Sequence, residues 1–164
     1  MIVTKTPLRI SFFSGGSDLP SFYEKESGAA LSVTIDKFIY VCIHKTPNIG
    51  IKTMYDSVEE SFDISVMQNG ISKECLKYFD VNKEITVASV SDILSRGSGL
   101  GSSSAFTVGL SKALYKLKSH QNLLPEDNAK IACDIEMNKC GFPVGKQDQY
   151  AASYGGFNLF EFHK

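Results

Sequence analysis

Between Glu84 and Leu117 the chain reads EITVASVSDILSRGSGLGSSSAFTVGLSKALYKL, and no other stretch limits its fold as tightly. EITVASV is rich in β-branched residues and reads as a strand. Beyond it, Phe106, Leu110, Ala113, Leu114 and Leu117 fall at offsets 0, 4, 7, 8 and 11, the stripe of an amphipathic helix. The glycines and serines from Ser95 to Ser104 therefore join a strand to a helix. A flexible linker would not run straight into such a stripe.

A glycine-rich turn at that junction leaves the first N–H groups of the helix pointing into the loop, where they attract an anion. Glycines let a backbone approach a phosphate closely, and Ser102, Ser103 and Ser104 offer hydroxyls to the anion or to a metal. The dipole contributes only about 0.3–1 kcal/mol, so a polyphosphate also needs Mg²⁺ or a cationic side chain. The competing reading is a serine N-cap behind a glycine turn. Two familiar phosphate loops are excluded. No lysine lies between Gly97 and Ser111, as a Walker A loop demands, and Ser102 and Ser104 occupy the last glycine of either dinucleotide-binding phase.

The remaining chain supplies strands first and helices later. LRISFF is a strand that breaks at SGGSD, and LPSFYEKES holds a turn of helix. AALSVTID and KFIYVCIHK read as two strands with a turn near Asp36 and Lys37, the second apolar on both faces and therefore central. Two short strands are expected between Ile51 and Phe62, a helix at ISKECLKYF, and a helix from Pro125 to about Asn138 whose proline and acids suit a helix start. GGFNLFEF reads as a strand entered through a Gly-Gly turn. The order favours an α+β fold, a mixed sheet with helices packed on one face.

With 164 residues, 43% of them hydrophobic, the chain can bury a core as one domain. Its 17 basic and 18 acidic residues form no block of like charge, which argues against nucleic acid or a membrane surface as partner. Cys42, Cys75, Cys133 and Cys140 form no C-x-x-C pair and sit in or beside apolar segments, as reduced cysteines of a cytoplasmic protein do. The expected localisation is cytoplasmic. His44, His120 and His163 lack metal spacing, and Lys73, Lys77 and Lys83 read as a solvated face.

Two further stretches carry chemistry. In PLRISFFSGGSDLP, Arg9 lies among apolar neighbours and Ser17 and Asp18 follow the glycine break. Either the strand ends in a turn whose Asp18 caps the next helix, or an arginine faces a phosphate beside an acid and a hydroxyl suited to a polyol. In IEMNKCGFPVGKQDQYAASYGGF, Ala129, Ala132, Cys133, Glu136 and Cys140 share one stripe, so Glu136 is carried on a small, mostly apolar surface. A carboxylate there needs a cation, an edge salt bridge or a slightly rotated helix. Asp148 is either a first-turn acid or a base held beside Lys146 or Arg9.

Together the three stretches resemble the superfamily of galactokinase, homoserine kinase, mevalonate kinase and phosphomevalonate kinase, the GHMP kinases. SGLGSSSAFTVGL resembles its ATP-phosphate loop, PLRISFFSGGSDLP its first motif as sugar kinases carry it, and VGKQDQYAASYGGFNLFEF the segment of its catalytic aspartate. The combination is most similar to the kinases of heptose phosphates, which implies a small sugar-phosphate substrate phosphorylated at its anomeric hydroxyl. The resemblance implies a ribosomal-protein S5 domain 2-like fold for residues 1–164, as the ATP-binding N-terminal domain. It implies that Gly97, Gly99, Leu100, Gly101, Ser102, Ser103 and Ser104 wrap the phosphates of ATP. Ser103 or Ser104 would ligate Mg²⁺ with Glu136. Asp148 would take or orient the substrate proton, Arg9 would steady charge, and Ser17, Asp18, Gln149 and Tyr150 would meet the sugar. Ser14 replaces a usual glycine, and Leu94 stands near a usual proline. The superfamily's third glycine-rich motif has no counterpart in these residues. Weak or no turnover is therefore expected from this half alone, with self-association through the face a second domain would cover.

Overall fold

The structure, a computed structural model, describes residues 1–13, 15–47, 50–55, 57–93 and 98–164. Among the described residues, six strands form one mixed sheet: β1 (Ile2–Phe13), β2 (Gly28–Lys45), β3 (Ile51–Met54), β4 (Val58–Ser61), β5 (Ile85–Ser91) and β6 (Phe157–Phe162). The order is β1-β2-β5-β3-β4, with β6 also paired to β2. Among the described residues, only β3 and β5 pair in parallel. The helices are α1 (Pro20–Tyr23), α2 (Gly70–Tyr78), α3 (Ser102–Ser119), α4 (Pro125–Cys133) and α5 (Gln147–Tyr154). The expected α+β class and mixed sheet are present.

One expectation fails. Asp36 and Lys37 do not reverse the chain; β2 continues through them as a strand of 18 residues. Its first half pairs with β6 and its second with β5, while β1 runs along the opposite edge of both. The register steps from Pro7↔Phe38 to Arg9↔Thr34, so the polar pair lies in a bulge, where extra residues are absorbed by bending. With partners on both sides of each half, extension satisfies more backbone groups than a turn would.

α3 packs on one face of this sheet. The expected stripe holds: Phe106, Leu110, Ala113 and Leu114 are fully buried against Leu8, Ile39, Val41 and Ile43. Gly109 permits the closest approach, since a Cβ there would stand 2.8 Å from Thr6 Oγ1 and 3.2 Å from Thr4 Oγ1. The opposite face leaves Val3, Ile10, Phe12, Phe13, Phe157 and Leu159 exposed. Among the described residues no helix is long and apolar enough to cross a membrane. All four cysteines are free thiols.

The helix expected to reach Asn138 starts at Pro125 as read, but after Cys133 it widens into a π-helical turn, Asp134–Lys139. A π turn inserts a residue into the helical ladder and shifts the phase of the positions beyond it. Ile135 stays in the core, and Glu136, buried along with Ala129, Ala132 and Cys133 of the expected stripe, meets Ser104 and Thr107 of α3.

Candidate active site

The junction of β5 and α3 holds the centre of the site. Gly101 occupies the N-cap of α3 at φ 73, and Gly99 lies at φ 68, both left-handed positions that glycine adopts without steric cost. The N-cap residue of α3 is Gly101, which has no side chain, so the serine N-cap is not built. The N-terminus of an 18-residue helix entered through glycines is suited to an anion. Gly97 lies outside the described residues, as do Ser14 and Leu94.

β1 fixes the loop. Arg9 N–H donates to the Leu100 carbonyl at 3.2 Å, and its Nη1 donates to the Gly99 carbonyl at 2.7 Å. The guanidinium then grips Asp148, with Nε at 2.8 Å and Nη2 at 2.5 Å from the same oxygen, Oδ1. Arg9, not Lys146, is therefore the cation of Asp148; Lys146 Nζ lies 4.2 Å from the centre of the Tyr23 ring. Because both bonds use Oδ1, Oδ2 is left toward Gly101, where a Cβ would come within 3.3 Å of it. Asp148 thus presents one oxygen to the mouth of the loop.

Asp148 reaches this place because the first turn of α5 is braced. Asp18 is buried, its carboxylate accepts the Gln147 N–H at 3.2 Å, and its carbonyl accepts the Lys146 N–H at 3.3 Å. Asp18 caps α5 rather than the helix that comes next in sequence. Gly145 makes room, since a Cβ there would collide with the Asp18 carboxylate. Ser17 Oγ donates to the Ala29 carbonyl at 2.7 Å and ties the same loop to β2. Both polar groups of the first motif are engaged with the chain itself.

Glu136 is 1% exposed. Thr107 Oγ1 donates to its Oε1 at 2.5 Å, while Ser104 Oγ at 2.8 Å and Gln149 Nε2 at 2.6 Å donate to Oε2. Burial raises the carboxyl above the usual glutamate range, and the three donors oppose that rise. Ser104 and Glu136 thus meet, whereas Ser103 is exposed, and its carbonyl shares the single Thr107 hydroxyl proton with Glu136 as the longer acceptor, at 3.1 Å. The Ser104–Glu136 separation is that of an ordinary O–H···O hydrogen bond, and a hydroxyl beside a carboxylate is an all-oxygen pair of the chemical kind Mg²⁺ prefers. Among the described residues no group of three or more His, Cys, Asp or Glu could hold a metal. Any cation here would take its other ligands from phosphate and water.

Gln149 is fully buried, and Tyr150 is half-buried, its ring 6.3 Å from Tyr154 and 6.0 Å from Phe160. Thr107 escaped sequence reasoning. Its position three residues after Ser104, a polar break in the apolar helix face, is the signal that marks it.

The sequence profile of the GHMP kinases N terminal domain matches residues 58–156. The D-glycero-alpha-D-manno-heptose 7-phosphate kinase of Campylobacter jejuni subsp. jejuni is 31% identical over 174 residues, which takes in 99% of this chain and 51% of the relative. A crystal structure of a D-glycero-D-manno-heptose 1-phosphate kinase from Bacteriodes thetaiotaomicron matches at TM-score 0.87 and 28% identity, over 100% of this chain and 57% of that one. The Streptococcus pneumoniae phosphomevalonate kinase, solved with phosphomevalonate and AMPPNP, shares the fold at TM-score 0.73 and 18% identity, over 93% of this chain and 47% of that one. The chain spans about half the length of these relatives.

Proposed function

The chain belongs to the GHMP kinase family, and from that premise we propose that residues 1–164 form the ATP-binding N-terminal domain of a sugar-phosphate kinase. The acceptor is the anomeric hydroxyl of a heptose 7-phosphate. The observation that carries this reading is the placement of Asp148 Oδ2 against Gly101, the N-cap of α3. Base and phosphate cradle share one point in space.

The backbone from Gly99 to Ser104 receives the β- and γ-phosphates, and its glycines allow the close approach. Asp148 Oδ2 accepts the proton of the sugar hydroxyl as its oxygen bonds to the γ-phosphorus, and the bond to the β–γ bridging oxygen breaks to release ADP. Arg9 holds the other carboxylate oxygen and adds positive charge where the transferring group is most anionic. Ser104 and Glu136 are the residues that would hold Mg²⁺, which when bound neutralises phosphate charge. Ser17 and Asp18 act on the sugar through the loop they brace, and Tyr150 borders the same helix turn.

The test is turnover of ATP by the whole protein with a panel of phosphorylated and free sugars, for the parent and Asp148→Asn. Heptose 7-phosphate is expected as the best acceptor, and the variant is expected to lose about 10²-fold or more, the contribution of a general base. A smaller loss argues against the base. Preference for free fucose or galactose would move the substrate, and absence of ATP binding would leave a non-catalytic module.

A further inference from the structure

We propose that Gln149 is a positioning residue that locks the Glu136 carboxylate to the helix carrying Asp148, and that it does not touch the sugar. The inference rests on the reading of Glu136 as a cation ligand.

Three consecutive residues at the start of α5 each bind a different part of the fold. Gln147 N–H meets Asp18 in the loop after β1, Asp148 meets Arg9 on β1, and Gln149 meets Glu136 in the π turn. Successive side chains point about 100° apart, so Asp148 and Gln149 reach different partners, while the backbone N–H of Gln147 points out of the helix start to Asp18. Gln149 is the inward member of this set. At 0% exposure its side chain offers no surface to a ligand, and its amide nitrogen lies 2.6 Å from Glu136 Oε2. The nitrogen must face the carboxylate, since the amide oxygen there would set two acceptors against each other.

Thr107 grips the opposite carboxylate oxygen, so Glu136 is held at both ends and its plane is fixed. The edge it shares with Ser104 is the one directed to the first turn of α3. Through Gln149 that edge keeps a set distance from Asp148, so the cation ligand and the base move as one body. Partners of this kind behind a metal ligand commonly govern affinity for the ion.

The experiment compares the parent, Gln149→Met and Glu136→Gln by Mn²⁺ binding, read from the paramagnetic resonance of the free ion, with a non-hydrolysable ATP analogue present. Methionine keeps the length and apolar volume and removes the donor. Q149M is expected to bind Mn²⁺ about 10–100-fold more weakly, with the affinity for heptose 7-phosphate unchanged. Unchanged Mn²⁺ affinity in Q149M, with or without weaker sugar binding, overturns the proposal. If the parent binds no Mn²⁺, or E136Q binds it as the parent does, the reading of Glu136 fails first and takes the inference with it. Should Q149M not fold, the side-chain amide resonances of Gln149 in the parent carry the test. They are expected to shift on adding Mg²⁺ with the nucleotide analogue; no shift there, or a shift with sugar phosphate alone, overturns the proposal.

Discussion

Replacing Arg9 by methionine removes the guanidinium that joins β1, the phosphate loop and α5. The side chains of Arg9 and Asp148 are 11% and 27% exposed. Fully exposed pairs are worth about 0–1 kcal/mol, and removing one partner of a fully buried pair costs about 3–5 kcal/mol. The observed exposure lies between, nearer the buried limit, so R9M should cost about 2–3 kcal/mol. For a chain of this size that lowers Tm by about 4–12 °C, at ~2–4 °C per kcal/mol. Part of the loss is the bond to the Gly99 carbonyl, which a cycle with Asp148→Ala cancels. Urea unfolding of the parent, R9M, D148A and the double variant should give a coupling of about 1.5–2.5 kcal/mol, with the double variant less destabilised than the sum. Additivity within about 0.5 kcal/mol would show that the pair does not form in solution, and with it would fall the account of how Asp148 is aimed.

Gly145→Ala should be destabilising by about 2 kcal/mol, from a lost helix cap and local overpacking, because its Cβ would displace the Asp18 carboxylate. Thermal unfolding measures this, and an unchanged Tm would mean that Asp18 does not brace α5. The cysteines give a pH test. Burial pushes Cys133 up to about 12 and Cys140 up to about 11, so at about pH 8 both are protonated and alkylate slowly in the folded chain. Iodoacetamide labelling of Cys140 should rise about tenfold per pH unit until the pH nears about 11; fast labelling of either thiol near neutral pH would contradict their packing.

The strand, loop and helix around Ser102 are legible in the sequence because each reports its own period: β-branched residues, then glycines, then an apolar stripe. β2 is not legible at Asp36 and Lys37, because a polar pair between two strand-like runs has the same local chemistry in a turn and in a bulge. The deciding partners are β1, β5 and β6, far away in sequence. Asp18 shows the same limit. Local pattern offers the next helix as its capping target, while the helix it caps begins at Gln147. Glu136 is marked by its apolar stripe, yet the donors that surround it come from α3 and α5, and it sits in a π turn that no periodicity announces.

The most direct measurement is ³¹P NMR of the whole protein with ATP, Mg²⁺ and D-glycero-D-manno-heptose 7-phosphate. The account predicts conversion of ATP to ADP and a new sugar-phosphate resonance split by the anomeric proton, with both changes lost in Asp148→Asn. ADP accompanied by inorganic phosphate alone, or a new resonance coupled to another position of the sugar, would contradict it.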